Sequence, residues 1–138
     1  PSMSNAVWSS GTVQPPVPPA PTGCGRITAG HGLSADHRSV RSCDGRFELA
    51  LQADGNLVLY QGATPLWATG TWGQDGYRLD MQSDGNLVLY STGGTPLWNA
   101  GTVGHPGAWL AVQTDGNLVV YPGPAMENPI WWTGTCCH

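Results

Sequence analysis

A chain of 138 residues with net charge −4 and only 5 Lys plus Arg has room for one domain but lacks the basic surface that grips a phosphate backbone, which excludes nucleic acid as a partner. Gly (20) and Pro (12) are abundant and no long stretch carries a 3.6-residue apolar period, so the chain is expected to be all-β, built from short strands and tight turns. No apolar run reaches the ~20 residues of a membrane span, and the first residues lack the basic and apolar regions of a signal peptide, so a soluble chain without membrane insertion is expected.

The first predicted element is AVWSSGT at 6–12, a strand of the form W-x-x-G-T. QPPVPPAP at 14–21 follows as a stiff, extended spacer. Residues 1–23 therefore read as an N-terminal extension and 24–138 as the folded domain. Cys24 and Cys43 open that domain, and Cys136 and Cys137 close it. None has the two-pair spacing of a zinc site, so disulfides tying the domain's start to its end are expected, in a secreted or extracellular setting. Free thiols and a cytoplasmic location are the alternative.

ELALQ at 48–52 leads into an Asp-Gly turn and NLVLY at 56–60 leads out of it. That is a strong hairpin signal, because a two-residue turn matching the strand twist needs the positive φ that Asp and Gly tolerate. PLWATGT at 65–71 supplies a further strand. The pattern then returns twice, as QSDGNLVLY at 82–90 with PLWNAGT at 96–102, and as QTDGNLVVY at 113–121 with PIWWTGT at 129–135. Gln52, Gln82 and Gln113 stand 30 and 31 residues apart, so the chain is a threefold repeat. Alternation places Leu57 and Leu59, Leu87 and Leu89, and Leu118 and Val120 on a buried face, with Asn56, Val58, Tyr60 and their copies opposite. An isolated hairpin is marginal, so Trp67, Trp98 and Trp131, one per unit, are expected to pool their rings at a shared centre.

The opposite face is the candidate ligand site. A turn explains Asp and Gly, but not why Gln, Asn, Val and Tyr recur unchanged while Ala53, Ser83 and Thr114 vary beside them. Each copy groups one carboxylate, two amides and a phenol around an apolar Val, which supplies donors and acceptors without a strong nucleophile. Such a set suits a sugar ring, with its adjacent hydroxyls and C–H edge. Catalysis fits poorly. Glycoside hydrolysis usually needs two carboxyl groups about 5–10 Å apart, whereas each phrase has one; Asp80 lies near the second copy, but Ala50 and Ala111 stand at the matching places. No G-x-S-x-G or H-E-x-x-H occurs, and His31, His37, His105 and His138 are scattered as surface or loop residues. A calcium loop begun at Asp54 would put Pro65 where the bidentate Glu belongs. Neither an enzyme nor a metal or cofactor site is expected.

Q-x-D-x-N-x-V-x-Y repeated three times, each followed by a W-x-x-G-T strand, resembles the bulb-type mannose-binding lectins related to the snowdrop lectin, over residues 26–135. The resemblance implies a β-prism II fold, three four-stranded antiparallel sheets around a pseudo-threefold axis, with three non-catalytic, multivalent sites for mannose or mannose-containing glycans. In the first, Asp54 and Asn56 would hold the axial O2 hydroxyl, Gln52 the O3 and Tyr60 the O4, with Val58 against the ring carbons. Gln82, Asp84, Asn86, Val88 and Tyr90 would form the second site, and Gln113, Asp115, Asn117, Val119 and Tyr121 the third. Plant members often carry a Cys in the first turn, where this chain has Gly55, so their disulfide has no counterpart and a microbial origin is favoured. Members also exchange their C-terminal strand, which implies a strand-swapped homodimer through Val7 and Trp8 or through the C-terminal strand; a remnant of a preceding domain is the alternative reading of 6–12. Two other functions fit the same fold: an assembly or protein-docking module with idle sugar pockets, and a glycan-targeting module of a larger secreted or antibacterial protein.

Overall fold

The computed structural model describes residues 23–136 together with Pro18 and Pro21. Val7 and Trp8 lie outside the described residues, as do Cys137 and His138. Among the described residues there is no helix. The strands are, in chain order, β1 (Arg26–Ile27), β2 (Gly32–Leu33), β3 (Ser39–Arg41), β4 (Phe47–Leu51), β5 (Leu57–Gln61), β6 (Thr64–Ala68), β7 (Gly76–Met81), β8 (Leu87–Ser91), β9 (Pro96–Asn99), β10 (Trp109–Val112), β11 (Leu118–Tyr121) and β12 (Trp131–Trp132).

They form three four-stranded antiparallel sheets, ordered β3-β4-β5-β6, β2-β7-β8-β9 and β1-β10-β11-β12. This is the β-prism II arrangement. Each repeat supplies three strands of one sheet. The leading segment supplies the fourth strand of all three, so β1, β2 and β3 bind the repeats to one another.

The hairpins are wider than a two-residue Asp-Gly turn. Leu51 pairs with Leu57 and the Gln52 amide donates to the Asn56 carbonyl at 2.9 Å, which leaves Ala53, Asp54 and Gly55 in the loop. Gly55 alone of these has a positive φ, 90°, the arrangement of a three-residue loop closed by a left-handed glycine. A Cβ there would also lie 2.7 Å from the Gly76 nitrogen, so the second repeat's leading loop packs where only glycine leaves room.

Leu57, Leu59, Leu87, Leu89, Leu118 and Val120 are buried with Ile27, Phe47 and Leu110 in one cluster. Trp67, Trp98 and Trp131 meet pairwise edge to face, with ring centroids 5.5, 5.6 and 5.5 Å apart and planes inclined at 69°, 73° and 70°. Equal spacings and angles make this triangle a threefold contact. The rings are half-buried, however, and cap the aliphatic cluster rather than forming its deepest part. The reason is position, since β6, β9 and β12 are the outermost strands of their sheets.

The cysteines depart from expectation. Cys24 pairs with Cys43, 5.0 Å apart at Cα, so neither ties the domain's start to its end. Packing of β1 near β3, with the Gly25 amide donating to the Arg41 carbonyl at 2.7 Å, brings the two together locally.

Trp98→Ala removes two of the three ring contacts and opens a void that the edge strand cannot close. It should cost about 3 kcal/mol, read as a drop in the denaturant midpoint; a loss below about 1 kcal/mol would mean the triangle is not a structural hub.

Candidate functional site

Each sheet presents one copy of the phrase on its outer face. Gln52, Gln82 and Gln113 follow directly on β4, β7 and β10, the aspartates sit in the turns, and Val and Tyr stand two residues apart on β5, β8 and β11. Period-two alternation makes these side chains neighbours across the hairpin. Val58, Val88 and Val119 are 4%, 3% and 3% exposed although alternation points them away from the core, and Val119 packs there with Trp109, Ala111 and Tyr121. The Gln, Asp, Asn, Val and Tyr of each copy make one candidate groove on its sheet.

The hydrogen bonds hold each cluster in place. Asp54, Asp84 and Asp115 each accept at Oδ1 from the backbone N–H of Asn56, Asn86 and Asn117, at 2.9 Å in every copy. Each Gln amide meets the hydroxyl of its Tyr, pairing Gln52 with Tyr60, Gln82 with Tyr90 and Gln113 with Tyr121. At Gln113, the orientation that satisfies both ends has Oε1 accepting from Tyr121 while Nε2 donates to the Asp115 carboxylate at 3.2 and 3.3 Å.

Asn has a role that sequence reasoning missed. Asn56 Oδ1 accepts from Gly70 N at 3.0 Å, Thr71 N at 3.2 Å and Thr69 Oγ1 at 3.1 Å, and Asn117 does the same for Gly134, Thr135 and Thr133. The carbonyl half of the side chain therefore clasps the G-T loop after the Trp strand. Among the described residues, Asn Nδ2 makes no hydrogen bond within the chain, nor does Oδ2 of Asp54 or Asp84.

The second copy is built less completely. Ala100 stands where the others have Thr69 and Thr133, hydroxyls that bond the following Thr71 and Thr135 at 2.8 and 2.7 Å. Thr102 Oγ1 is buried without a partner, lacking both that hydroxyl and the glycine carbonyl to which Thr71 and Thr135 donate at 2.7 and 2.6 Å, and Asn86 Oδ1 accepts from Thr102 N at 3.1 Å.

The residues beside the phrase differ among the copies. Opposite the three Tyr stand Glu48, Arg78 and Trp109; opposite the three Val stand Ala50, Asp80 and Ala111. Glu48 pairs with Arg41 at 3.5 Å, and Arg78 pairs with Asp80 at 3.4 Å while its guanidinium lies 4.6 Å over the Tyr90 ring. Burial pushes the Asp80 carboxyl above its ordinary value of 3.8, with Arg78 opposing. Trp109 packs on Tyr121 at 5.3 Å, and Arg26 lies 5.3 Å over the Trp109 ring. The repeated phrase does not include these flanking residues, yet Glu48, Arg78 and Trp109 precede their Gln by four positions, which alternation assigns to the same face.

The second groove opens onto a cavity of about 520 Å³ that includes His31, Asp80 and Asp84, and the third onto one of about 360 Å³ that includes Arg26, Trp109 and Asp115. Arg46, held by Asp44 at 2.7 Å, also donates to the Thr114 carbonyl and so ties the third turn to the loop before β4. The Ser42 hydroxyl first, then Arg46, lower the Asp44 carboxyl to about 2.

No protein-family model matches the chain, and no curated protein matches it. Solved structures do. Monomeric monocot mannose-binding lectins from Gastrodia elata are 38% identical, with a TM-score of 0.71, over 81% of this chain and 98% of theirs. The mannose-specific agglutinin from snowdrop (Galanthus nivalis) bulbs, solved with methyl-α-D-mannoside, is 34% identical with a TM-score of 0.65, over 83% of this chain and 99% of its own. A Marasmius oreades lectin is 28% identical with a TM-score of 0.74, over 85% and 96%. Lectins are a non-catalytic class.

Two substitutions probe this geometry. Ala100→Thr should supply the missing hydroxyl and a partner for Thr102, raising stability by about 1 kcal/mol and the Tm by a few degrees; an unchanged or lower Tm would contradict it. Asp80 ionises less readily folded than unfolded, so its contribution to stability is full below its unfolded value and is lost as pH rises through the folded one. Asp80→Asn should therefore match the parent in denaturant midpoint at pH 3 and exceed it at pH 7.

Proposed function

The chain belongs to the monocot, bulb-type mannose-binding lectin family, and we propose that each of its three grooves binds one mannose unit of a glycan. The observation that carries this reading is the division of labour within the cluster: in the first two grooves one oxygen of Asp and the carbonyl of Asn are spent on fixing the loop, while the other oxygen and the amide nitrogen are left for a ligand. Pre-positioned donors and acceptors of this kind lose little freedom on binding. In the proposed pose the axial O2 hydroxyl donates to Asp54 and accepts from Asn56 Nδ2, Gln52 meets O3, Tyr60 meets O4, and Val58 contacts the ring carbons. The second groove repeats this with Gln82, Asp84, Asn86, Val88 and Tyr90, and the third with Gln113, Asp115, Asn117, Val119 and Tyr121. Glucose, with an equatorial O2, leaves the Asp and Asn atoms unpaired, which is the source of discrimination.

A single open groove of this type binds weakly, and a millimolar Kd corresponds to about −4 kcal/mol. Three grooves on different sheets raise avidity for clustered glycans by about 10²–10⁴ where geometry allows simultaneous contact. The Cys24–Cys43 disulfide supports an oxidising, extracellular setting. The proposed assembly is a homodimer that exchanges AVWSSGT at 6–12, residues outside the described ones. Exchange of the C-terminal strand is the other form of the same proposal, since β12 completes the third sheet beside β11 and has to leave that place for AVWSSGT to enter it.

Calorimetric titration should give three equivalents of methyl α-mannoside, with methyl α-glucoside at least about tenfold weaker. Changing Asp54, Asp84 and Asp115 together to Asn keeps the turn acceptor but turns the outward oxygen into a donor. That variant should stay folded by circular dichroism and bind no mannoside; binding equal to the parent would refute the reading. Removal of residues 1–14 should halve the mass in solution, and an unchanged mass would remove the exchanged dimer.

A further inference from the structure

The three grooves share their polar cluster but not their surroundings, and the third is the exception. Trp109, Ala111, Val119 and Tyr121 form an apolar cluster separate from the core, on the outer face of the third sheet. In the other two sheets the residues facing Tyr are the charged Glu48 and Arg78. Trp109 is fixed, since its Nε1–H donates to the Gly123 carbonyl at 2.6 Å and its ring packs on Tyr121. At 8% exposure it serves as a rigid floor and not as an open stacking platform.

Above that floor stand one cation and sulfur: Arg26 lies 5.3 Å over the Trp109 ring and lines the cavity beside the disulfide and Met126. The exposed Cys24–Cys43 disulfide and Met126, which is 61% exposed, line the same cavity of about 360 Å³ as Asp115 and Gln113. Methionine is unbranched and polarizable, and adapts to flat or irregular apolar partners. The cavity of the second groove has apolar side chains only in Pro18 and the fully buried Met81, and its His31, Arg78, Asp80 and Asp84 hold water against an apolar group. A monosaccharide held by Gln113, Asp115 and Asn117 would thus lie beside an apolar shelf that the other copies lack.

We propose that the third groove carries a second, apolar subsite, formed by Met126 and the Cys24–Cys43 disulfide over Trp109, that takes the apolar substituent attached to a bound mannose: an aryl aglycone or the C–H face of the next sugar. This rests on the mannose reading of the grooves. It makes the three copies unequal, with the third selecting the group joined to the mannose and the first two reading the mannose alone. Each apolar contact of this size strengthens binding severalfold.

The test compares methyl α-mannoside with 4-nitrophenyl α-mannoside by calorimetry. In the Asp54→Asn/Asp84→Asn variant, where only the third groove is intact, the aryl glycoside should bind about tenfold tighter than the methyl glycoside. In Asp115→Asn, which leaves the first two grooves, the two ligands should agree within about twofold. Met126→Ser should bring the aryl preference of the third groove down to a few-fold without changing methyl glycoside affinity. Equal affinities for the two ligands in the third-groove variant would overturn the subsite alone. Failure of the unmodified chain to bind either ligand would overturn both the subsite and the mannose reading.

Discussion

The side-chain carbonyl of Asn56, repeated at Asn117, accepts three hydrogen bonds from the loop that follows its repeat's Trp strand, while the same residue leads directly into the strand that carries Val and Tyr. One side chain therefore registers the outer strand against the inner hairpin, and with it the indole ring against its two counterparts. The core contact and the outward cluster cannot be set independently. A slip of one residue would turn the Leu face outward and the Val-Tyr face inward together.

This coupling changes what the repetition of the phrase means. Strict recurrence of Asn reads from the sequence as a ligand requirement, yet the loop clasp is sufficient to explain it. Gly likewise answers to the close approach of a neighbouring loop, as at Gly55 and at Gly85, where a Cβ would lie 2.2 Å from the His105 carbonyl oxygen. Gln and Tyr have no such structural duty beyond bonding each other and, at Gln113, the Asp115 carboxylate, and the free oxygen of Asp54 and of Asp84 has none. They are the residues on which the binding reading stands. Ala100 shows the converse case, where the Gln, Asp, Asn, Val and Tyr of the second copy are intact while the supporting network has lost a hydroxyl.

The three strands of each repeat and the meeting of Trp67, Trp98 and Trp131 were legible because they follow from two-residue alternation and a thirty-residue period, whereas the fourth strand of each sheet came only with the family resemblance. Besides the Asn clasp, three features were not. The three-residue turn depends on which residue takes the left-handed conformation, and Asp-Gly is compatible with either loop length. The Cys24–Cys43 pair depends on β1 and β3 lying together, and two-residue and three-residue strands leave almost no periodic signal in the sequence. The flanking residues Glu48, Arg78 and Trp109 were hidden by a search for what repeats, since the copies diverge there. Repeated positions locate the shared chemistry, and the divergent ones beside them distinguish one groove from the next.

Everything proposed for the grooves requires that the outward halves of Asp, Asn and Gln be ready for a hexose in the arrangement the fold already imposes. Diffraction from crystals of the chain soaked in methyl α-mannoside tests this without an intermediate step. A sugar ring is expected in each of the three grooves, its O2 between the Asp carboxylate and the Asn amide and its carbons on Val, with the Asn carbonyl still bonded to its G-T loop. Sugar found only elsewhere on the surface, or bound only after the Asn clasp has opened, would contradict it.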